Sequence, residues 1–286
     1  QEARRQAVHF LAAQGLVEVL SYPFVSDSFD RQRLAESDPR RQALRLRNPL
    51  ADDAPWLRTS ILDTLLDAAG RNIARGADRA ALFEQGLVAR PEGTVPTGLL
   101  SASQRPSDEE LGALYAGTPK QPQHIGVVLA GRASASPLAE ETRSFAWSDA
   151  LEIVLGLASI LGVRVETCRA WDLEPSTVKG APMPTPAQDP SEVAPWHPGR
   201  VARVFVRKGR ELVDIAFAGE LHPAVCKAFG LPARSCAAEI DLSALLEACS
   251  AEPIQVKPVS TFPVAKEDIA LVVSSSIPVS RVEQVV

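Results

Sequence analysis

The chain has 286 residues, 45% of them apolar and 23% charged, with a formal net charge of −5. That composition is ordinary for a folded protein with a buried core, and it argues against a self-sufficient grip on nucleic acid, which draws on clustered Lys and Arg. No apolar run approaches the ~20 residues needed to cross a bilayer, no secretory segment follows Gln1, and Cys168, Cys226, Cys236 and Cys249 form no CxxC, so reduced thiols in a cytoplasmic protein are expected rather than a zinc site.

The first helix is predicted over residues 2–14, where Ala3, Ala7, Val8, Leu11 and Ala12 recur at helical spacing and Gly15 is placed to end it. Val17, Val19 and Leu20 lead into a strand ending near Pro23, and a short helix is expected from Ser26. Leu44 and Leu46 alternate with Arg45 and Arg47, which predicts a strand entering the turn Asn48-Pro49. The strongest helix signal follows: Ile61, Leu65, Ala69 and Ile73 lie four apart, and Leu62 and Leu66 widen the stripe. Thr59 or Ser60 can cap it and Gly76 can end it. Such a stripe serves core packing or, if two-sided, subunit contact, and spacing does not separate the two.

Strands are predicted at 80–88 and 124–130, with a polar surface excursion over 98–123 between them. A second helix spans 147–161, before Gly162 and a strand beginning at Val163. Six prolines across 175–195 exclude a helix or central strand there and predict a long exposed loop. A hairpin over 201–218 turns at Lys208-Gly209, followed by a helix from Pro223, a strand at 236–240 and a helix at 242–248 with Asp241 near its N-cap. A strand at 269–273 and a helix from Val279 close the pattern. Strands arriving in neighbouring pairs with helices between them predict an α+β fold on an antiparallel or mixed sheet. The linker-like Ala251-Glu252-Pro253 suggests domains at 1–254 and 255–286, and the Gln start and amphipathic finish are expected of a fragment of a longer protein.

Taken in order, several phrases resemble one family. "GLVEVLSYPFV" (residues 15–25), "RNPLADDAPWLRTSILDTLL" (47–66), "NIARG" (72–76), "LFEQG" (82–86), "WHPGR" (196–200), "AGELHP" (218–223) and "FPVAKEDIALVV" (262–273) are similar to the β subunit of bacterial phenylalanyl-tRNA synthetases. Gln85 stands where a branched apolar residue is usual, and Glu267 where a basic one is common. The resemblance implies a class II synthetase-like antiparallel sheet flanked by helices, followed by the start of a ferredoxin-like anticodon-binding domain. It further implies a heterotetrameric ligase whose α subunit uses ATP and Mg2+, with this module contacting that α subunit and helping to orient tRNA(Phe). Under it, Arg58, Thr59, Ile61, Leu62, Leu65, Leu66 and Ile73 become the candidates for subunit contact. Asn48, Pro49, Glu84, His197, Pro198, Gly199, Arg200, Glu220, His222 and Pro223 become structural motif positions.

Adenylation in that class needs an Arg two residues before a strand Glu and a glycine-rich phrase ending in Arg, because guanidinium forks clamp phosphate. Leu82 stands two before Glu84, and "HPGR" and "VRKGR" have the wrong context. An inactive module with no catalytic, cofactor or metal residues of its own is therefore expected. His197 and His222 each precede Pro without an Asp, Ser or Cys partner at a recognisable spacing, so a turn-fixing use is expected. The rival readings are an active ATP-dependent ligase with degenerate motifs and a stand-alone protein-binding module.

Overall fold

A computed structural model describes residues 1–26, 29–91, 103–134, 143–170, 178–179, 193–209, 211–249 and most of 261–285. The chain divides into two units, Gln1–Cys249 and Ser250–Val286. In the first unit, helix α1 (Glu2–Ala13) leads through β1 (Val17–Glu18), β2 (Phe24–Val25) and β3 (Trp56–Leu57) to α2 (Leu62–Ala74). Then come β4 (Arg79–Leu87), α3 (Asp108–Ala116), β5 (Gln123–Gly131), α4 (Trp147–Ile160), β6 (Glu166–Arg169) and β7 (Val178–Lys179). The unit closes with β8 (Trp196–Lys208), β9 (Glu211–Leu221), α5 (Pro223–Ala228), β10 (Cys236–Asp241) and α6 (Leu242–Ala248).

The main sheet runs β1-β4-β5-β10-β9-β8-β6, with β7 beside β9. It is mixed: β1 with β4 and β7 with β9 are parallel, and the other pairs are antiparallel. Strand side chains alternate between faces, and here both faces are covered. Ala81 and Phe83, Ile125, Val127 and Leu129, and Cys236, Ala238 and Ile240 pack under α1, α4 and α6. The intervening Ala80, Leu82, Val128, Ala130 and Ala237 pack under α2 and α5. Full burial of one leucine contributes roughly 1.5–3 kcal/mol, so the stripe on α2 ties that helix firmly to the sheet.

Several expectations change. The strand over 44–47 shrinks to a single bridge between Arg45 and Trp56. No helix forms at 29–33, where the chain turns instead, and residues 27–28 lie outside the described residues. The excursion at 98–123 contains α3, held by a capping box in which Ser107 and Glu110 bond each other's backbone N–H. Most of 175–195 lies outside the described residues, yet its described ends are built in, since β7 pairs with β9 and Val193 and Ala194 are buried. Arg203 is buried and forms a two-pronged pair with Asp214 at 2.6 Å. In the second unit no strand forms at 269–273, where Ile269, Leu271, Val272 and Val273 are exposed and have no neighbouring strand among the described residues. No helix among the described residues is long and apolar enough to cross a membrane.

Candidate functional site

Two adjacent rows of the sheet, on the α2 face, carry ionisable groups where apolar ones would be expected. Glu84, Gly126 and Glu239 align across β4, β5 and β10, and Gly86, His124 and Asp241 form the next row. The glycines let the chain above come down onto the sheet. A Cβ on Gly126 would lie 2.7 Å from Ile61 Cγ2, and one on Gly86 would occupy the Arg58 guanidinium. The start of α2 therefore sits in a notch between two acids.

Glu239 caps that helix from another strand. Ile61 N–H donates to Oε1 at 3.1 Å and the Ser60 hydroxyl to Oε2 at 2.6 Å, while Leu62 N–H donates to Ser60 Oγ at 3.2 Å. A carboxylate there answers the unpaired N–H groups and the positive end of the helix dipole. His124 Nδ1 lies 2.8 Å from the same carboxylate. Burial pushes Glu239 upward, but His124, Ser60 and the Ile61 N–H outweigh it and hold the carboxyl at about 2. Burial likewise opposes charge on His124, and the carboxylates of Asp241 and Glu239 outweigh it, so its pKa is raised. With the ring neutral, Arg90 Nη2 donates to Nε2 at 3.0 Å; with it charged, Asp241 Oδ2 faces that nitrogen at 3.7 Å.

Arg58 is fixed on four sides. Its Nη1 donates to Glu84 Oε1 at 2.6 Å and to Thr64 Oγ1 at 2.8 Å, and its Nε donates to the Leu87 carbonyl at 3.1 Å. Its own carbonyl accepts from Ala89 N–H. Asp63, bonded by Gln32, is pushed up to about 7 by burial and by the charge of Glu239. Thr59 donates to the Arg40 carbonyl at 2.6 Å.

These contacts correct the candidates for subunit contact. Ile61, Leu62, Leu65 and Leu66 are 0% exposed, and Arg58 and Thr59 are buried too. Their partners belong to this chain, so in this fold they offer no surface to another subunit; Ile73 is half-buried against the same core. The motif positions lie elsewhere. Asn48 sits in a bend and Pro49 follows it. His197 Nδ1 accepts from Gly199 N–H at 3.0 Å, beside Pro198, and His222 Nδ1 accepts from Ala224 N–H at 3.1 Å, with Pro223 opening α5. Arg200 pairs with Glu220 at 2.7 Å. Neither histidine meets a nucleophile or an acid in these bonds.

The residues missed were Arg40, Arg90, His124 and Glu239; Asp241 was read only as the cap of the last helix, where its Oδ1 does accept from Ala244 N–H at 2.9 Å. Arg90-Pro91-Glu92 does have the spacing that Leu82 breaks at Glu84. Glu92 lies outside the described residues, and Arg90 points inward, buried against His124. Beside Arg40 and Arg90 lies a cavity of about 40 Å3, also lined by Thr59 and Gln42. A larger hollow of about 460 Å3 is on the opposite face, between α1 and α4, where Asp149 engages Arg143 at 2.6 and 2.7 Å. No group of three or more metal-ligating side chains occurs among the described residues.

Residues 1–242 match the family described as the phenylalanyl tRNA synthetase beta chain CLM domain. The chain belongs to that family. It is 42% identical over 286 residues to a phenylalanine--tRNA ligase beta subunit of Thermobifida fusca, covering 99% of this chain and 32% of that protein. It is 40% identical over 285 residues to its counterpart in Streptomyces avermitilis, again with 99% and 32% covered. The CLM chain thus spans about a third of the length of these relatives. Its fold resembles that of a pyrrolysyl tRNA synthetase of Desulfitobacterium hafniense, PylSc, with a TM-score of 0.51, 13% identity, and 86% of this chain and 64% of that one covered. At that identity the likeness is one of fold alone.

Proposed function

We propose that this module is a non-catalytic part of the phenylalanine–tRNA ligase β subunit in the cytoplasm, packing against the α subunit and helping to position tRNA(Phe). The observation that carries the non-catalytic part is the closure of the polar rows on themselves. Ligand sites typically offer about 300–1,000 Å3. The space beside Arg40 and Arg90 is about 40 Å3, too small for a nucleotide, and the acids behind it are engaged by Ser60, Ile61 N–H and His124. These residues do not fit ATP with Mg2+, which the complete enzyme would bind on its α subunit.

Because the α2 stripe is internal, the contact surface for α is moved to the sheet edge. There β1 is the outermost strand, with Val17 59% exposed, and in the segment just after it Leu20 and Tyr22 are 93% and 80% exposed. An outer strand with large unburied apolar side chains is a pairing surface. The phrase at 262–273 supports reading the segment from 255 as the beginning of a ferredoxin-like anticodon-binding domain. In full-length β, L20S with Y22S is expected to weaken assembly with α at least about tenfold, the effect of losing two interfacial apolar anchors. Size-exclusion profiles at graded concentrations measure this, and an unchanged profile would remove the edge from the interface.

A further inference from the structure

At the end of the β8–β9 hairpin away from its turn, three segments bring together cationic and N–H-donating side chains that the polar rows do not use. Trp196 pairs with Leu221, and the His222 N–H donates to the Pro195 carbonyl at 2.9 Å, so His197 to Arg200 adjoins His222 and Pro223. Leu221 N–H donates to the Ser235 carbonyl at 2.8 Å, which brings Arg234 in beside them. Arg31 docks the third segment on α5: its Nη2 donates to the Ala228 carbonyl at 3.3 Å and its guanidinium lies 3.9 Å over the Phe229 ring. The turn carrying Arg33 thus meets the helix that His222 opens. Burial, then the charges of Arg33 and His197, push the His222 pKa below its ordinary value.

The chain holds these groups by one end and leaves the other outside. The buried Glu220 takes Arg200 Nη1 at 2.7 Å and stands 3.4 Å from Arg234 Nε, while the two arginine side chains are 43% and 63% exposed. Each guanidinium has five N–H donors, so most remain for an outside acceptor. His197 and His222 accept at Nδ1 from Gly199 and Ala224 N–H, which puts the proton of each neutral ring on Nε2. Arg33 is exposed and forms no ion pair among the described residues. One buried carboxylate against three guanidiniums leaves this surface positive, in a chain of net charge −5. Arg33 and Arg234, with φ of 60° and 65°, are also the non-glycine residues in the left-handed region among the described residues. Side chains are uncommon there, and such conformations cluster where function needs them.

We propose that Arg33, Arg200 and Arg234, with Nε2 of His197 and His222, form a surface that binds the phosphodiester backbone of RNA. This rests on the reading that the module helps to position tRNA(Phe), and it names the surface that does so. Guanidinium forks match phosphate oxygens, and phosphate contacts fix orientation without reading sequence. Trp196, Leu221, Val225 and Phe229 beneath the surface are buried, so it lacks the exposed apolar anchor on which protein contacts are centred.

The test uses the assembled ligase of α with full-length β, titrated with tRNA(Phe) over a series of salt concentrations. R33Q with R234Q is expected to raise Kd about fivefold or more and to reduce the salt slope by about 1–2, the share of two phosphate contacts. R33Q alone, which breaks no ion pair among the described residues, is expected to give part of the same loss. R143Q with R207Q removes two charges from exposed pairs elsewhere and is expected to change neither quantity. Hydrogen exchange is expected to slow at residues 196–200 and 219–224 when tRNA binds. Equal weakening by both double variants, or none by R33Q with R234Q, overturns the proposal. So does loss of ligase assembly in R33Q with R234Q at unchanged tRNA affinity, which would make the surface a protein contact. Exchange protection confined to another part of residues 1–249 overturns the surface and leaves the tRNA-positioning reading standing, whereas no protection anywhere in residues 1–249 contradicts both.

Discussion

Replacing Glu239 by Gln is expected to cost about 3 kcal/mol of folding stability at neutral pH, the free-energy equivalent of moving its carboxyl from 4.5 to about 2. The side chain serves the Ile61 N–H, the Ser60 hydroxyl and His124 together, so one substitution loosens the α2 start and the β5–β10 row at once. The sign of the pH dependence follows from the depressed pKa. The stabilisation is fully present above about 4.5 and is lost as pH falls through about 2. The gap between wild type and E239Q, read from urea unfolding, is therefore expected to shrink to roughly half or less near pH 3. Asp63 acts in the opposite sense: with its carboxyl raised to about 7, its contribution is complete below 3.8 and declines as pH rises through 7. D63N removes that slope. A gap between wild type and E239Q that stays constant from pH 7 to pH 3 would contradict the assigned bonds.

The second large effect is expected at Arg58. R58M keeps much of the apolar stem but leaves Glu84, 0% exposed, without its guanidinium. Breaking a buried pair from one side costs about 3–5 kcal/mol, because the remaining charge is stranded. Removing both sides is milder, so R58M with E84L is expected to be more stable than R58M alone, a non-additivity that marks direct contact. If the double variant loses the sum of the two single losses, the pair is not the source of the effect.

Periodicity made most of the frame readable. Four-residue spacing located α2 and α4, and alternation located the β8–β9 hairpin, while β4, β5 and β10 were also expected as strands. The failures have physical causes. A helical stripe reports that one face is apolar and not what covers it, so core packing and subunit contact both stood open for Ile61, Leu62, Leu65 and Leu66, whose cover is the chain's own sheet. Helix capping was sought in Thr59 and Ser60, the local candidates, whereas the cap carboxylate comes from Glu239, 179 positions beyond Ser60. Arg58 stood among the subunit-contact candidates because nothing local shows that Gly86, across the fold, clears space for its guanidinium. One helix, α3, carried an unread local signal, Ser107 with Glu110 three residues later. The two polar rows exist through strand register alone, which pairs Gly126 with both Glu84 and Glu239.

The central claim is that this synthetase-like fold has no adenylation chemistry of its own. ATP–pyrophosphate exchange tests it most directly, with the 286-residue chain supplied with phenylalanine, ATP and Mg2+. No exchange above the protein-free background is expected, and none should be gained or lost with R90Q. Exchange that scales with the amount of chain and disappears in R90Q would contradict the account and make Arg90 part of a working phosphate clamp.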